Sequence, residues 1–214
     1  MRLAIYDLDG TILDGDSHVA LLAEFVVRSH ASLASRARVI AGAAQWALGL
    51  RDDDGTKTLA AEALATLPAD RVDAWIHRVV CERVLPRVRP EMRQRLRTDR
   101  VAGFTTMLLS ASLDVPVAMV ARALGFDCVA GTRLARVDGA YIGRLDGAPL
   151  RGIAKADYVS RFAREHGADL SRARGYGDRA SDVPYLELVG EKFAVNPDRA
   201  LRRIARARGW TVIE

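Results

Sequence analysis

The chain opens on a short apolar run, Leu3-Ala4-Ile5-Tyr6, that stops at the acidic stretch "YDLDGTILDGD" of residues 6–16. Uninterrupted apolar positions bounded by Gly10 predict a buried strand over residues 3–6. From Ser17 to Leu85 no strand pattern is found. Apolar residues recur instead at helical spacing over 17–31, 33–50, 57–67 and 70–85, broken at "RDDDG" (51–55) and "LPAD" (67–70). Past "LPRVRP" (85–90) the texture changes. A basic helix over 90–100 leads through Gly103 to "FTTMLLSAS", whose "MLL" reads as a buried strand.

A helix over 115–124, a strand near 127–130 and "RLARVDGAYIGRL" follow, the last with Asp138-Gly139 between two strand-like runs, a hairpin signal. Then come a helix over 152–166, a strand into "GYGD", a helix over 180–189, the strand "KFAVN", a helix over 198–208 and "WTVI". Strands alternating with helices predict an α/β fold, a doubly wound, mostly parallel, Rossmann-like sheet with helices on both faces. The strandless segment then reads as a helical insertion after the first strand. Residues 1–14 and 87–214 are expected to form the core, and 15–86 a cap.

Composition narrows the class without changing this picture. The chain has 214 residues, half of them hydrophobic and 28% charged, as expected for a globular protein. Its net charge of +5 comes from 32 basic against 27 acidic residues, and only Lys57, Lys155 and Lys192 are lysines. So strong an arginine skew reads as coding bias, and the basic balance is discounted as a sign of nucleic acid, although it suits a small anionic substrate. Cys81 and Cys128 lack metal-site or disulfide spacing and read as reduced thiols. No signal peptide is visible, and "VIAGAAQWALGL" (39–50) is too short for a membrane span. The expectation is a cytoplasmic protein, monomeric or homodimeric.

In a parallel sheet, sites form where the carboxyl ends of strands meet helix N-termini. Four polar clusters fall at such positions: Asp7 and Asp9, Ser110, Lys155, and Asp178 with Asp182. Taken singly, each has an ordinary reading: turn aspartates, an N-capping serine, a surface lysine. Brought together, carboxylates from two strand ends repel unless a divalent cation lies between them. Oxygen ligands without nearby His or Cys favour Mg²⁺. A hydroxyl, an ammonium and free backbone N–H groups around it would receive a phosphoryl group.

"DLDGT", a serine ending the second strand, a distant lysine and "GDRASD" together resemble the haloacid dehalogenase superfamily. The helical insertion after the first motif, with "SASLDVP" and the "GTRL…GRLDG" segment, is similar to its phosphoserine phosphatase-like branch. The resemblance implies a Mg²⁺-dependent phosphatase acting on a small phosphorylated substrate. Asp7 would be the nucleophile that becomes phosphorylated, and Asp9 the acid and then the base. Gly10, Ser110 and Lys155 would bind phosphoryl oxygens. The metal would be held by the Asp7 carboxylate, the Asp9 carbonyl and Asp178, with Asp182 in support.

Two departures bear on substrate. Asp16 stands where the phosphoserine enzymes offer a glutamate to an amine, and it reads equally as an N-cap beside Ser17. Arg179 and Ser181 replace the usual Gly and Asn of the last motif, so the resemblance implies a phosphatase but leaves open whether phosphoserine is its substrate. A phosphotransferase or phosphomutase would keep the same aspartates. A non-catalytic phosphate-binding regulator would not need Asp9. The helix at 39–50 and the arginines around 87–100 would suit a lipid-phosphate phosphatase at a membrane, but that helix is read as cap core.

Overall fold

The computed structural model describes residues 1–29 and 31–214. Its strands are β1 (Leu3–Tyr6), β2 (Thr105–Leu113), β3 (Cys128–Thr132), β4 (Leu134–Val137), β5 (Ala140–Leu145), β6 (Arg174–Gly177), β7 (Glu191–Val195) and β8 (Thr211–Ile213). Six of them form one sheet in the order β3-β2-β1-β6-β7-β8, with every pairing parallel, while β4 and β5 form a separate antiparallel hairpin.

Both faces of this sheet are covered, which explains why β1 is apolar without alternation. Leu3 and Ile5 pack against the face carrying α7 (Ile153–His166), α8 (Val183–Leu186) and α9 (Arg199–Arg208). Ala4 and Tyr6 pack against the face carrying α5 (Pro90–Val101) and α6 (Asp114–Leu124). β1 lies between β2 and β6, so the chain progresses outward in opposite directions on its two sides. The carboxyl end of β1 is therefore the topological switch point, where a sheet of this kind opens a crevice.

An aromatic row crosses the sheet just below that crevice. Tyr6 stacks on Tyr176 with centroids 4.2 Å apart, and Tyr176 on Phe193 at 4.7 Å. The hydroxyls of Tyr6 and Tyr176 both donate to Asp99 of α5, which also accepts from Arg174 Nη1 at 2.6 Å. Asp99 is fully buried. Burial and the Asp99 charge push both phenols well above their ordinary pKa, so they remain donors.

The intervening helices are α1 (Ser17–Arg28), α2 (Leu33–Ala47), α3 (Asp53–Leu64) and α4 (Ala69–Val79). The chain leaves and re-enters the sheet region through two strands of backbone fastened to each other. Asp14 N–H donates to the Arg87 carbonyl at 2.8 Å, and Arg89 N–H to the Ile12 carbonyl at 2.9 Å. Arg89 and Asp14 pair at 3.0 Å. The apolar faces of α1 and α4 meet edge-on through Phe25 and Trp75, at 6.0 Å. Their core is continuous with the α5/α6 face of the sheet. The hairpin supports this segment: Tyr141 of β5 bonds Asp73 of α4 and Arg136 of β4. Asp138 and Gly139 both have positive φ, the backbone a two-residue primed turn requires.

Several boundaries differ from the sequence expectation for local reasons. α1 ends at Arg28, and the expected extension to 31 runs across His30, which lies outside the described residues. α3 begins at 53 rather than 57 because the Asp52 carboxylate caps it, accepting from Gly55 N–H at 2.7 Å. The helix expected to reach 85 loosens into a π turn over Val80–Val84 and a 3₁₀ turn over Leu85–Arg87 as Pro86 is approached. The helix expected over 180–189 is a 3₁₀ turn, Ala180–Asp182, and then the short α8. Among the described residues, no helix is long and apolar enough to cross a membrane.

The Asp99 network yields a stability prediction. Asp99→Ala would leave two buried phenol hydroxyls and the Arg174 guanidinium without their acceptor, so unfolding free energy should fall by about 3 kcal/mol. Urea denaturation should show a lower midpoint at unchanged slope.

Candidate active site

The end of β1 delivers Asp7, whose N–H continues the ladder by donating to the Tyr176 carbonyl at 2.9 Å. Its carboxylate accepts from Lys155 Nζ at 2.5 Å, and the same ammonium donates to Asp182 at 2.7 Å. The Lys155 side chain is only 3% exposed. It rises from the first turn of α7, an unfavourable place for a cation beside the positive end of a helix dipole, which the two carboxylates offset. They also hold its pKa above the ordinary lysine value despite burial, so it stays charged.

Asp178 follows β6 and completes the cluster. Carboxylate oxygens of Asp7, Asp178 and Asp182 lie within 4.8 Å of one another, all buried. Burial, reinforced by the neighbouring carboxylates, pushes Asp178 up to about 9. Burial likewise raises Asp7, against the opposing pull of Lys155. Three carboxylates against the Lys155 ammonium leave a formal excess of two negative charges, which half-exposed Arg179, 3.6 Å from Asp178, offsets only from the rim. An all-oxygen donor set with a negative excess fits a hard dication of the Mg²⁺ type.

Gly10 makes the approach possible. Its φ is +81°, and a Cβ there would lie 2.0 Å from Asp178 Oδ2. The glycine in "DLDGT" is thus demanded by both backbone conformation and space.

The Asp9 carboxylate is held apart from this acidic cluster. Its carboxylate accepts from Ser17 N–H, at the start of α1, at 2.6 Å and from Ser112 Oγ at 2.6 Å. The two hydroxyls also meet, Ser17 Oγ donating to Ser112 Oγ at 3.2 Å. Burial first, and then the charge of Asp16, push Asp9 up to about 6, while the bonds from Ser112 and Ser17 oppose the shift. A serine hydroxyl can donate to a carboxylate or accept from a carboxylic acid, so Ser112 serves Asp9 in either state. Ser112 was not among the sequence candidates. The signal was "SAS": residues two apart on a strand share a face, so Ser110 and Ser112 point the same way. Ser110 is buried and accepts from Ser112 N–H at 3.0 Å.

Every sequence candidate except Gly10 lines one cavity of about 440 Å³, an ordinary size for a small-ligand site. Asp16 caps α1, accepting from His18 N–H at 2.8 Å and Val19 N–H at 3.1 Å, and Arg179 approaches it at 3.8 Å. Arg179 N–H also donates to Asp182 at 3.3 Å. Ser181 borders the same space. His18, Thr56, Lys57 and Arg151 line the cavity as well and were missed, because nothing local in the sequence marks them.

Residues 4–187 match the family described as haloacid dehalogenase-like hydrolase. The chain is 30% identical to a phosphoserine phosphatase of Mycobacterium tuberculosis over 98% of its length and 69% of that protein. It is 27% identical to a histidinol-phosphatase of Neisseria meningitidis, covering 99% and 98% of the two chains. Among solved structures, a protein of unknown function from Bordetella pertussis superposes with a TM-score of 0.88 at 29% identity, over 100% of this chain and 98% of that one.

The Asp9 environment makes a direct prediction. The Ser112 bond favours the charged carboxylate, so Ser112→Ala should raise the Asp9 pKa above that of the parent protein. Carbon-13 NMR titration of the Asp9 carboxyl measures it; an unchanged or lowered value contradicts the hydrogen-bond assignment.

Proposed function

Because the chain belongs to the haloacid dehalogenase-like hydrolases and is a phosphoric monoester hydrolase, we propose that it cleaves a small phosphate ester through a phosphorylated Asp7, with Mg²⁺ as cofactor. The observation that carries this reading is the buried meeting of Asp7, Asp178 and Asp182 around Lys155. Asp7, Asp178 and the Asp9 carbonyl would hold the cation, with Asp182 in support. When bound, it supplies positive charge to the phosphoryl oxygens and lets Asp7 stay ionised among its neighbours.

The chain's own groups do the rest. Lys155 stays protonated and offers its ammonium to the phosphoryl group, positioned by Asp182. Ser110, which lies inside β2 rather than at its end because the strand runs on to Leu113, offers a hydroxyl to another oxygen. Asp7 attacks phosphorus as the ester P–O bond breaks. Asp9 gives its proton to the departing alkoxide, and the alcohol leaves. Asp9, now ionised, takes a proton from water as that water attacks phosphorus, releasing phosphate and restoring Asp7. A pKa raised toward neutral suits a group that must both give and take a proton, and Ser112 and Ser17 hold it in place.

Residues 15–86 serve in this reading as a cap over a core of residues 1–14 and 87–214. Support comes from the paired crossings at 12–14 and 87–89 and from the walls α1, α2 and α3 give the cavity.

Asp9→Asn isolates the two half-reactions. p-Nitrophenolate needs little help to leave, whereas water still needs a base. The variant should release a burst of about one nitrophenol per enzyme and then slow sharply, with phosphate trapped on Asp7. Mass mapping after borohydride reduction checks the attachment; label on Ser110, or steady parental turnover, refutes the roles.

The metal prediction follows from the raised carboxylates. Groups whose folded pKa is raised hold protons at neutral pH in the metal-free protein, and a cation must displace them. Mg²⁺ affinity should therefore rise with pH through the interval from the ordinary carboxylate range toward 9. Saturating Mg²⁺ should raise Tm more at pH 8.5 than at pH 6, and EDTA should abolish both the shift and activity. Equal shifts at the two pH values contradict metal binding by these carboxylates.

A further inference from the structure

We infer that the alcohol half of the substrate is an apolar chain, seated in a groove that runs from the acidic cluster out between α1 and α2. This deepens the phosphatase reading above and rests on it. The cavity that begins at Asp7 does not close around the phosphoryl site. It continues along two helices that each present an apolar stripe at i, i+4, i+7: Val19, Ala23 and Val26 on α1, and Val39, Ala43 and Trp46 on α2. Such a stripe ordinarily faces a packed core. Val39 is buried in that core and Val26 packs against it, but the rest of the two stripes borders open space, with Val19 43% and Trp46 40% exposed, and Ile40 beside them 54% exposed.

Charge argues the same way. A phosphorylated amino acid or amino alcohol needs a carboxylate beyond the phosphoryl site to receive its ammonium. Apart from the aspartates of the catalytic cluster, the described residues lining the cavity offer only Asp16. That carboxylate already caps α1 through two N–H groups and faces Arg179. Burying an ammonium against the valine and tryptophan wall beyond it would leave the charge unpaired. An alkyl or isoprenoid chain has no such requirement and gains from every methylene removed from water. From Val19 to Val26 the α1 stripe spans roughly 10 Å at 1.5 Å per residue, room for about eight carbons in line.

The experiment measures phosphate release by the intact protein with Mg²⁺ from methyl, butyl, hexyl, octyl and decyl phosphate, each below its critical micelle concentration. Geranyl phosphate, phosphoserine and histidinol phosphate complete the series. kcat/KM should rise about two- to fourfold per methylene through the hexyl and octyl esters and then level off. Both amine-bearing esters should fall below octyl phosphate. The octyl-to-geranyl ratio tells a straight chain from an isoprenoid one. Ala23→Phe and Ala43→Phe, which fill the groove from either wall, should each lower the octyl-to-methyl ratio at least tenfold. Octylphosphonate should compete at least tenfold more tightly than methylphosphonate in the parent protein, a comparison that needs no variant.

A flat or falling series, with phosphoserine or histidinol phosphate the best ester, overturns the groove assignment while leaving the phosphatase reading intact. So does activity that appears only above the micelle concentration, which would place the apolar residues against an aggregate surface. No release from any ester overturns the phosphatase reading itself.

Discussion

The ammonium of Lys155, placed between Asp7 and Asp182 with almost no access to water, is the interaction around which this molecule is organised. A buried lysine is tolerated only where opposite charge meets it, and its two partners come from different strand ends. β1 must lie beside β6 for them to converge, which the parallel pairing of Ala4 with Arg174 and of Tyr6 with Tyr176 enforces. Two glycines must also lack side chains: Gly10 beneath Asp178, and Gly177, where a Cβ would come within 2.9 Å of Asp182. Central strand order, glycine placement and the lysine are thus one constraint expressed three times.

The helical segment is joined to this centre through α1. Asp16 caps the helix while the N–H of Ser17, its first residue, goes to Asp9. The positive end of a helix dipole therefore points at the group whose proton is in question. Any shift of α1 changes both the shape of the cavity and the charge state of Asp9. The wall of the cavity and the Asp9 carboxyl meet at one peptide N–H.

What could be read from the sequence was what local pattern encodes. "DLDGT", the Asp138-Gly139 turn and the alternation of strands with helices each carry their own physical signature within a few residues, and each led to the right place in the fold. Asp99 carries none. In "RTDR" it reads as a solvated helix position, and its burial depends on Tyr6, Tyr176 and Arg174, which lie far away along the chain. Ser112 hid beside a serine that already had a role. The groove was the subtlest omission: its valines and Trp46 have the spacing of any core-facing helix, and only the space left between α1 and α2 shows otherwise. The over-long helix at 180–189 failed for a different reason: its first residues form the 3₁₀ turn that carries Asp182, and Pro184 lies in the first turn of a separate short helix.

The central position of β1 has a consequence during synthesis. Its neighbours in the sheet begin about 100 and 170 residues further along the chain. At ribosomal speeds of about 5–20 residues per second, "LAIY" is made roughly ten to thirty seconds before the second of them exists. Through that interval the most thoroughly buried strand of the finished protein has no sheet to join. It is a sticky apolar tetrapeptide followed at once by four carboxylates within ten residues, and those charges then act as its solubilising guard. The acidic stretch that later lines the cavity first keeps the newborn chain from sticking to its neighbours.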